Sequence, residues 1–251
     1  MGKISVVGIG PGSTDDMTYR AHRTIEEATA VVGYSRYIQL IADLVEGKKV
    51  LDTGMTQEID RCRAALEEAA AGENVVVISS GDAGIYGMAG LVLELLMKMD
   101  EDQRPEFGGV IPGVSALSAA AGLLGAPIMH DFAVISLSDL LTPWELIQER
   151  AELAAKGDFV TVLYNPRSHK RVGQIQAVQE IFLHERTPET PVGIVTAASR
   201  EGENVLISTL GAFTKEDINM FSIVIIGNSK TKQNGQWMIT PRGYQKREPG
   251  L

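Results

Sequence analysis

Residues 74–89 read NVVVISSGDAGIYGMA, and the first seven of them decide the fold. A β-branched run this apolar shows no polar alternation. It predicts a strand buried on both faces, as in a parallel sheet covered by helices. The strand empties into Gly81, Gly84 and Gly87, which permit positive φ and close backbone approach. Asp82 then places a lone carboxylate at a strand's carboxyl end, where open α/β sheets take their ligands. Such an acid suits a ribose, an amine or a cation; capping of the following helix explains it equally well.

Outward from this stretch the same punctuation recurs. Ile4 to Ile9 reads as a strand that runs into Gly8-Ile9-Gly10-Pro11-Gly12, and Ser13-Thr14-Asp15-Asp16 is suited to capping a helix. Ala30 to Gly33 and Lys48 to Asp52 are strand-like. Tyr34 to Val45, Thr56 to Ala71 and Tyr86 to Met99 have helical spacing. A polar stretch, Asp100 to Glu106, breaks the pattern before Gly108-Gly109-Val110-Ile111-Pro112-Gly113, so the boundary is placed there. The expectation is an N-terminal α/β domain over 1–112 and a C-terminal α/β domain over 113–251, with the active-site cleft between them.

In the second domain Val114 to Leu124 reads as a tightly packed small-residue helix. Phe132 to Leu137, Phe159 to Leu163, Val192 to Val195, Val205 to Ser208 and Ser222 to Ile226 read as strands, with helices at Pro143 to Ala155 and Val172 to His184. Consecutive strands late in the chain predict a mixed sheet with some antiparallel pairing.

Composition narrows the function classes. The chain has 251 residues, with 23 Lys and Arg against 32 Asp and Glu, a net charge of −9, and 44% hydrophobic residues. It resembles an ordinary globular chain able to bury a core. An acidic balance argues against nonspecific nucleic-acid binding, which rests on cations neutralising phosphates. No run approaches the ~18 apolar residues of a membrane span, and MGKISVVGIG lacks a cleavable signal pattern. A cytoplasmic location is expected. Cys62 is the single cysteine, and four scattered histidines offer no metal-ligand spacing, so no metal site is expected.

The glycine turns are poor phosphate cradles. In Gly8-x-Gly10-Pro11-Gly12 the third glycine of a dinucleotide fingerprint would fall at Ser13, and Pro11 removes an N–H donor. Asp15 and Asp16, expected in the helix's first turn, would repel a pyrophosphate. A third loop, Pro112-Gly113-Val114-Ser115-Ala116, joins a strand to a helix, and Ser115 suits an N-cap. A fourth, Tyr164-Asn165-Pro166-Arg167-Ser168-His169-Lys170-Arg171, packs three cations and a histidine behind a strand. A solvated helix start explains it in the usual way; an anionic ligand is the sharper alternative, because cations at a helix N-terminus oppose the dipole.

Together GIGPG at 8–12, SSGDAGIYGMA at 79–89, PGVSA at 112–116, YNPRS at 164–168 and VTAASREGE at 195–203 resemble the tetrapyrrole methylase family, in order and spacing, across nearly the whole chain. Ala83, where the family often has proline, together with VVGYSRY at 31–37 and MITPRGY at 238–244, resembles its ring-contracting branch. The resemblance implies two α/β domains and S-adenosyl-L-methionine as cofactor. It also implies methylation of a corrin precursor, precorrin-3B or its cobalt form, at C-17 with ring contraction, by a homodimer. By motif, it puts Pro11 in the turn beneath the cofactor, Ser80, Gly81, Asp82 and Ile85 around its ribose and methionine part, and Ser115 and Ala116 at its adenosine and methionine portions. Asn165 and Ala198 would flank the adenine, although relatives often carry Met and Gly there.

For a polycarboxylate macrocycle, Arg36, Arg167, His169 and Arg200 are the candidate contacts, with Lys170, Arg171 and Arg242 behind them and Arg171 and Arg242 readable as surface residues. Arg is favoured because its planar fork binds carboxylates in pairs. Proton movements in ring contraction call for a general acid or base. Asp82, His130 and Tyr86 are the candidate catalytic residues, with packing roles as the plainer account of His130, Tyr86 and Tyr34. A methylase acting at another macrocycle carbon, and a noncatalytic module for an adenosine-containing ligand, are the alternatives.

Overall fold

The structure is a computed structural model that describes residues 1–54, 56–168 and 170–244. The chain divides into two compact units, Met1–Ala116 and Leu117–Leu251.

In the first unit, strands β1 (Lys3–Gly8), β2 (Ala30–Tyr34), β3 (Lys49–Thr53), β4 (Asn74–Ser79) and β5 (Glu106–Ile111) form a parallel sheet in the order β3-β2-β4-β1-β5. Helices α1 (Tyr19–Glu26), α2 (Ser35–Gln39), α3 (Ala42–Val45), α4 (Glu58–Ala70) and α5 (Ala89–Leu96) make the connections. The period-two geometry of a strand explains why β4 has no polar face. Val75 and Val77 pack with Cys62, Ala65 and Leu66 of α4 and Val92 of α5. Val76 and Ile78, on the opposite face, pack with Ala21 and Ile25 of α1 and with Ile41 and Val45. Each such side chain contributes about 1.5–3 kcal/mol relative to exposure, as an upper estimate. Burial in this core also pushes the Cys62 thiol up to about 11, with the neighbouring Arg61 charge opposing the shift.

Three local expectations are corrected. The segment from Tyr34 to Val45 is two short helices, because Ile41 leaves helical geometry (φ −125°, ψ 28°) while its side chain is buried in the core. Ser13 caps only a one-turn 3-10 segment, Thr14–Asp16, and α1 begins beyond it with Thr18 as its cap. Asp15 and Asp16 therefore stand outside the first turn of α1. Helix α5 starts at Ala89, three residues after Tyr86, whose positive φ of 53° is incompatible with a right-handed helix.

The second unit takes over within α6 (Ala116–Leu124) and continues through β6 (Gly125–Ala126), β7 (Phe132–Ser136), α7 (Trp144–Lys156), β8 (Val160–Tyr164), α8 (Gln174–Leu183), β9 (Pro191–Thr196), β10 (Asn204–Thr209), β11 (Ser222–Ile226), β12 (Lys232–Asn234) and β13 (Trp237–Ile239). Its main sheet has the order β10-β9-β11-β8-β7. Only β7 and β8 pair in parallel; the other neighbours are antiparallel, so the sheet is mixed as expected. Ile147 and Ala151 of α7 and Ile175 and Phe182 of α8 fill one face. On the other, Leu124 of α6 fits against Gly193, where a Cβ would come within 2.3 Å of it. A small sheet, β12-β13-β6, was not legible in the sequence.

Candidate functional site

The neighbouring strands β1 and β4 are left by connections that run in opposite directions: from β1 to β2 on one side, from β4 past β1 to β5 on the other. This is the switch point at which open parallel sheets leave a crevice. The loops there are joined backbone to backbone. Gly10 and Gly81 exchange hydrogen bonds, N–H to carbonyl, at 3.1 and 2.7 Å. Asp82 ties in the third loop: Oδ1 accepts from the Gly84 amide at 2.8 Å and Oδ2 from the Gly113 amide at 3.0 Å. A Cβ on Gly113 would lie 2.2 Å from the Gly81 carbonyl oxygen and one on Gly8 2.6 Å from it. Glycine is required at these crossings for close approach. Asp82 caps no helix; its carboxylate clasps its own loop to the third, while the Gly10–Gly81 backbone pair holds the first.

What this clasp can hold follows from its side chains. The stretches 8–16, 79–89 and 112–116 contain no Lys or Arg, Pro11 is buried, and Asp15 and Asp16 lie on the way into α1. A phosphate finds no cation in these stretches. Ile85 and Tyr86 instead present exposed apolar surface beside Gly84, while Ser80 is half-buried and Ser115 buried at the ends of β4 and the third loop. This set suits a ligand without phosphates, and the Asp82 carboxylate suits a ribose, an amine or a cation. Among the described residues no group of three or more His, Cys, Asp or Glu side chains is placed to hold a metal ion.

In the second unit β7, β8 and β9 run the same way, so the loops after them share one edge of the sheet. Asn165, at φ +50°, donates from Nδ2 to Ser136 Oγ at 3.0 Å. Ala198 is buried between Ala197 (φ +53°) and Ser199 (φ +58°), and the Ser199 amide donates to Glu203 Oε2 at 2.7 Å. Left-handed non-glycine residues cost of order 1–3 kcal/mol each and collect at functional sites. Arg167 and Arg200 are half-buried in these two loops; His169 lies outside the described residues. In the first unit, Arg36 is exposed on α2, directly beyond β2, and Tyr34 stacks edge-on against Tyr37 at 5.1 Å.

Two expectations change. Arg171 is not a surface residue: its side chain is 11% exposed and braced inside its loop. His130 precedes β7, at the opposite end of the sheet from Asn165 and Ala198, about 15 Å away by the rise of a five-residue strand. Its Nδ1 accepts from the Asp131 amide at 2.9 Å, and with Arg242 it lines a separate depression of about 760 Å³. Sequence reading missed Asp139 and Ser136, which anchor the Asn165 loop, and Tyr164, whose hydroxyl accepts from the Leu117 amide at 3.0 Å. No local pattern marks Ser136 or Asp139, which act across the sheet edge on the loop after β8, and the YNPRS motif holds Tyr164 without showing its partner.

The family model described as tetrapyrrole (corrin/porphyrin) methylases matches residues 3–214, and the chain belongs to that family. Within it, the chain is 50% identical over 241 residues to the probable cobalt-factor III C(17)-methyltransferase of Salmonella typhimurium, covering 96% of this chain and 99% of that protein. It is 48% identical to the cobalt-factor III methyltransferase of Priestia megaterium over 98% of its length but spans only 46% of that longer protein. The crystal structure of the methyltransferase CobJ superposes with a TM-score of 0.90 at 38% identity, covering 96% of this chain and all of that one.

Proposed function

We propose that this chain is an S-adenosylmethionine-dependent methyltransferase that methylates a corrin precursor, cobalt-factor III or precorrin-3B, at C-17 with ring contraction, in cobalamin biosynthesis. The observation that carries the reading is the cation-free clasp of glycine loops at the switch point, in a chain that matches the Salmonella enzyme from end to end.

S-adenosylmethionine, when bound, supplies a methyl group on a sulfonium. The chain's task is placement, since holding donor and acceptor in line contributes most of the rate for such a displacement. Gly81, Ser80, Ile85, Ser115 and Ala116 form the bed for the nucleoside and amino-acid parts, with Pro11 in the turn beneath. Asp82 acts first as a positioning residue; its charge, held by two amides, also favours a nearby cation. Asn165 and Ala198 flank the adenine. Arg36, Arg167 and Arg200 meet macrocycle carboxylates, and Tyr86, exposed at the rim, is the candidate proton donor. His130 has no part in this reading, because it stands at the far end of its sheet. A cytoplasmic homodimer completes the proposal, on the family resemblance; light scattering and cell fractionation test it.

The deciding experiment is mass spectrometry and absorption spectroscopy after incubation with S-adenosylmethionine and, separately, precorrin-3B and its cobalt form. One added methyl group with a contracted-ring spectrum is expected. Methylation without contraction indicates another macrocycle carbon, and cofactor binding without turnover a binding module; either overturns the proposal.

A further inference from the structure

Two cations in the loop after β8 have opposite fates. Arg171 is held in the loop: one Nη donates to the Asn165 carbonyl at 3.2 Å, the other lies 3.9 Å from Asp139 Oδ1, and its backbone exchanges hydrogen bonds with Ser168 at 3.1 and 3.3 Å, while its buried Nε has no partner among the described residues. Its side chain is almost fully covered. Arg167, half-buried four residues earlier, makes no ion pair among the described residues. Asp139 is itself fixed, accepting from Gln174 Nε2 at 3.0 Å, and Ser136 accepts from Asn165. The end of β7 and the loop after it thus grip the loop after β8 at both of its ends, and the residue gripped first, Asn165, sits in a left-handed conformation, which asparagine tolerates better than most non-glycine residues.

We infer that Asp139 and Arg171 are positioning residues: they form a charged brace that holds the 165–168 segment so that Asn165 and Arg167, which has no ion-pair partner among the described residues, meet the ligands. The inference rests on the methyltransferase reading for what those ligands are, though not for the brace itself. Its chemistry is specific. A bidentate guanidinium reaches a carbonyl and a carboxylate at once, which an ammonium cannot do with the same geometry. Loss of the brace should therefore loosen binding while leaving the bonds that are made and broken untouched.

The test uses the intact chain with Asp139→Asn, Arg171→Lys and Arg171→Met. Asp139→Asn keeps one acceptor, enough for Gln174, and removes the charge and the second oxygen that faces Arg171. It should raise KM for the corrin precursor about tenfold and weaken S-adenosylhomocysteine binding several-fold. kcat should fall by less than KM rises, and the melting temperature should move little. Arg171→Lys should fall between wild type and Arg171→Met. A purely structural role would lower the melting temperature and the active fraction with KM unchanged, and that result overturns the inference. Amide hydrogen exchange across 165–171 supplies a readout independent of catalysis: faster exchange in Asp139→Asn supports the brace, and unchanged exchange refutes it. Should the wild-type chain neither bind S-adenosylhomocysteine nor turn over a tetrapyrrole, the methyltransferase reading fails while the exchange result still decides the brace.

Discussion

Replacing Asp82 with Ala removes both acceptors that bind the Gly84 and Gly113 amides. Hydrogen bonds to an ionised carboxylate contribute about 1.5–3 kcal/mol each. Asp82 is half-buried, so water recovers part of that, and the lower end applies: about 3 kcal/mol for the pair. In a domain or chain of 150–250 residues each kcal/mol moves the melting temperature by roughly 2–4 °C, so a drop of about 6–12 °C is expected. Asp82→Asn retains one oxygen and should lose about half as much, because its amide nitrogen faces an N–H donor where Oδ1 or Oδ2 accepted before. Thermal melts give the stability, and isothermal titration with S-adenosylhomocysteine gives the affinity, which should fall in the same order: wild type, Asn, Ala. The clasp is wrong if the Ala variant melts within about 1 °C of wild type. If stability holds and affinity alone collapses, the carboxylate touches the ligand and does not hold the loops.

Further outcomes follow from single contacts. Gly113→Ala drives a methyl into the Gly81 carbonyl 2.2 Å away and should reduce both soluble yield and cofactor affinity, whereas Gly90→Ala, on the open face of α5 with nothing within 4 Å, should stabilise. The gain at Gly90 is about 0.5–1 kcal/mol by helix propensity, checked by denaturant titration. Cys62 should resist thiol reagents in the native chain at pH 8 and react once unfolded, as a colorimetric thiol assay reports. Its raised value means that the unfolded thiol ionises first, so its contribution to stability is full below about pH 9 and is lost as the pH rises toward about 11. Arg167→Ala should raise KM for the macrocycle with a smaller change in kcat; unchanged KM in folded protein counts against that contact. ATP should compete with S-adenosylhomocysteine no better than adenosine does, since the three loops hold no cation for its phosphates.

The composition of NVVVISS already required a strand covered on both sides, because no arrangement of its side chains offers solvent a polar face; the structure places α4 and α5 on one face and α1 with α3 on the other. Close backbone approach was legible at Gly81, where three glycines stand within seven residues at a strand end, and not at Gly8 or Gly113, which read only as parts of connecting turns. What a linear reading left open was the partner of each approach. Asp82 offered a cap or a ligand contact, and it turned out to clasp loops 31 residues apart in sequence. Arg171 read as a surface residue, yet its side chain is largely buried and pairs with Asp139, 32 positions away. His130 shared a neighbourhood in sequence with site residues but is separated from Asn165 and Ala198 by the length of a strand. Local chemistry, periodicity and glycine geometry are properties of adjacent residues, so the sequence determined the strands of the two main sheets and the glycine turns that follow β1 and β4. Pairing between distant loops depends on strand order and direction, which burial alone does not specify, and only the tertiary structure decided which charges are spent and which remain for a ligand.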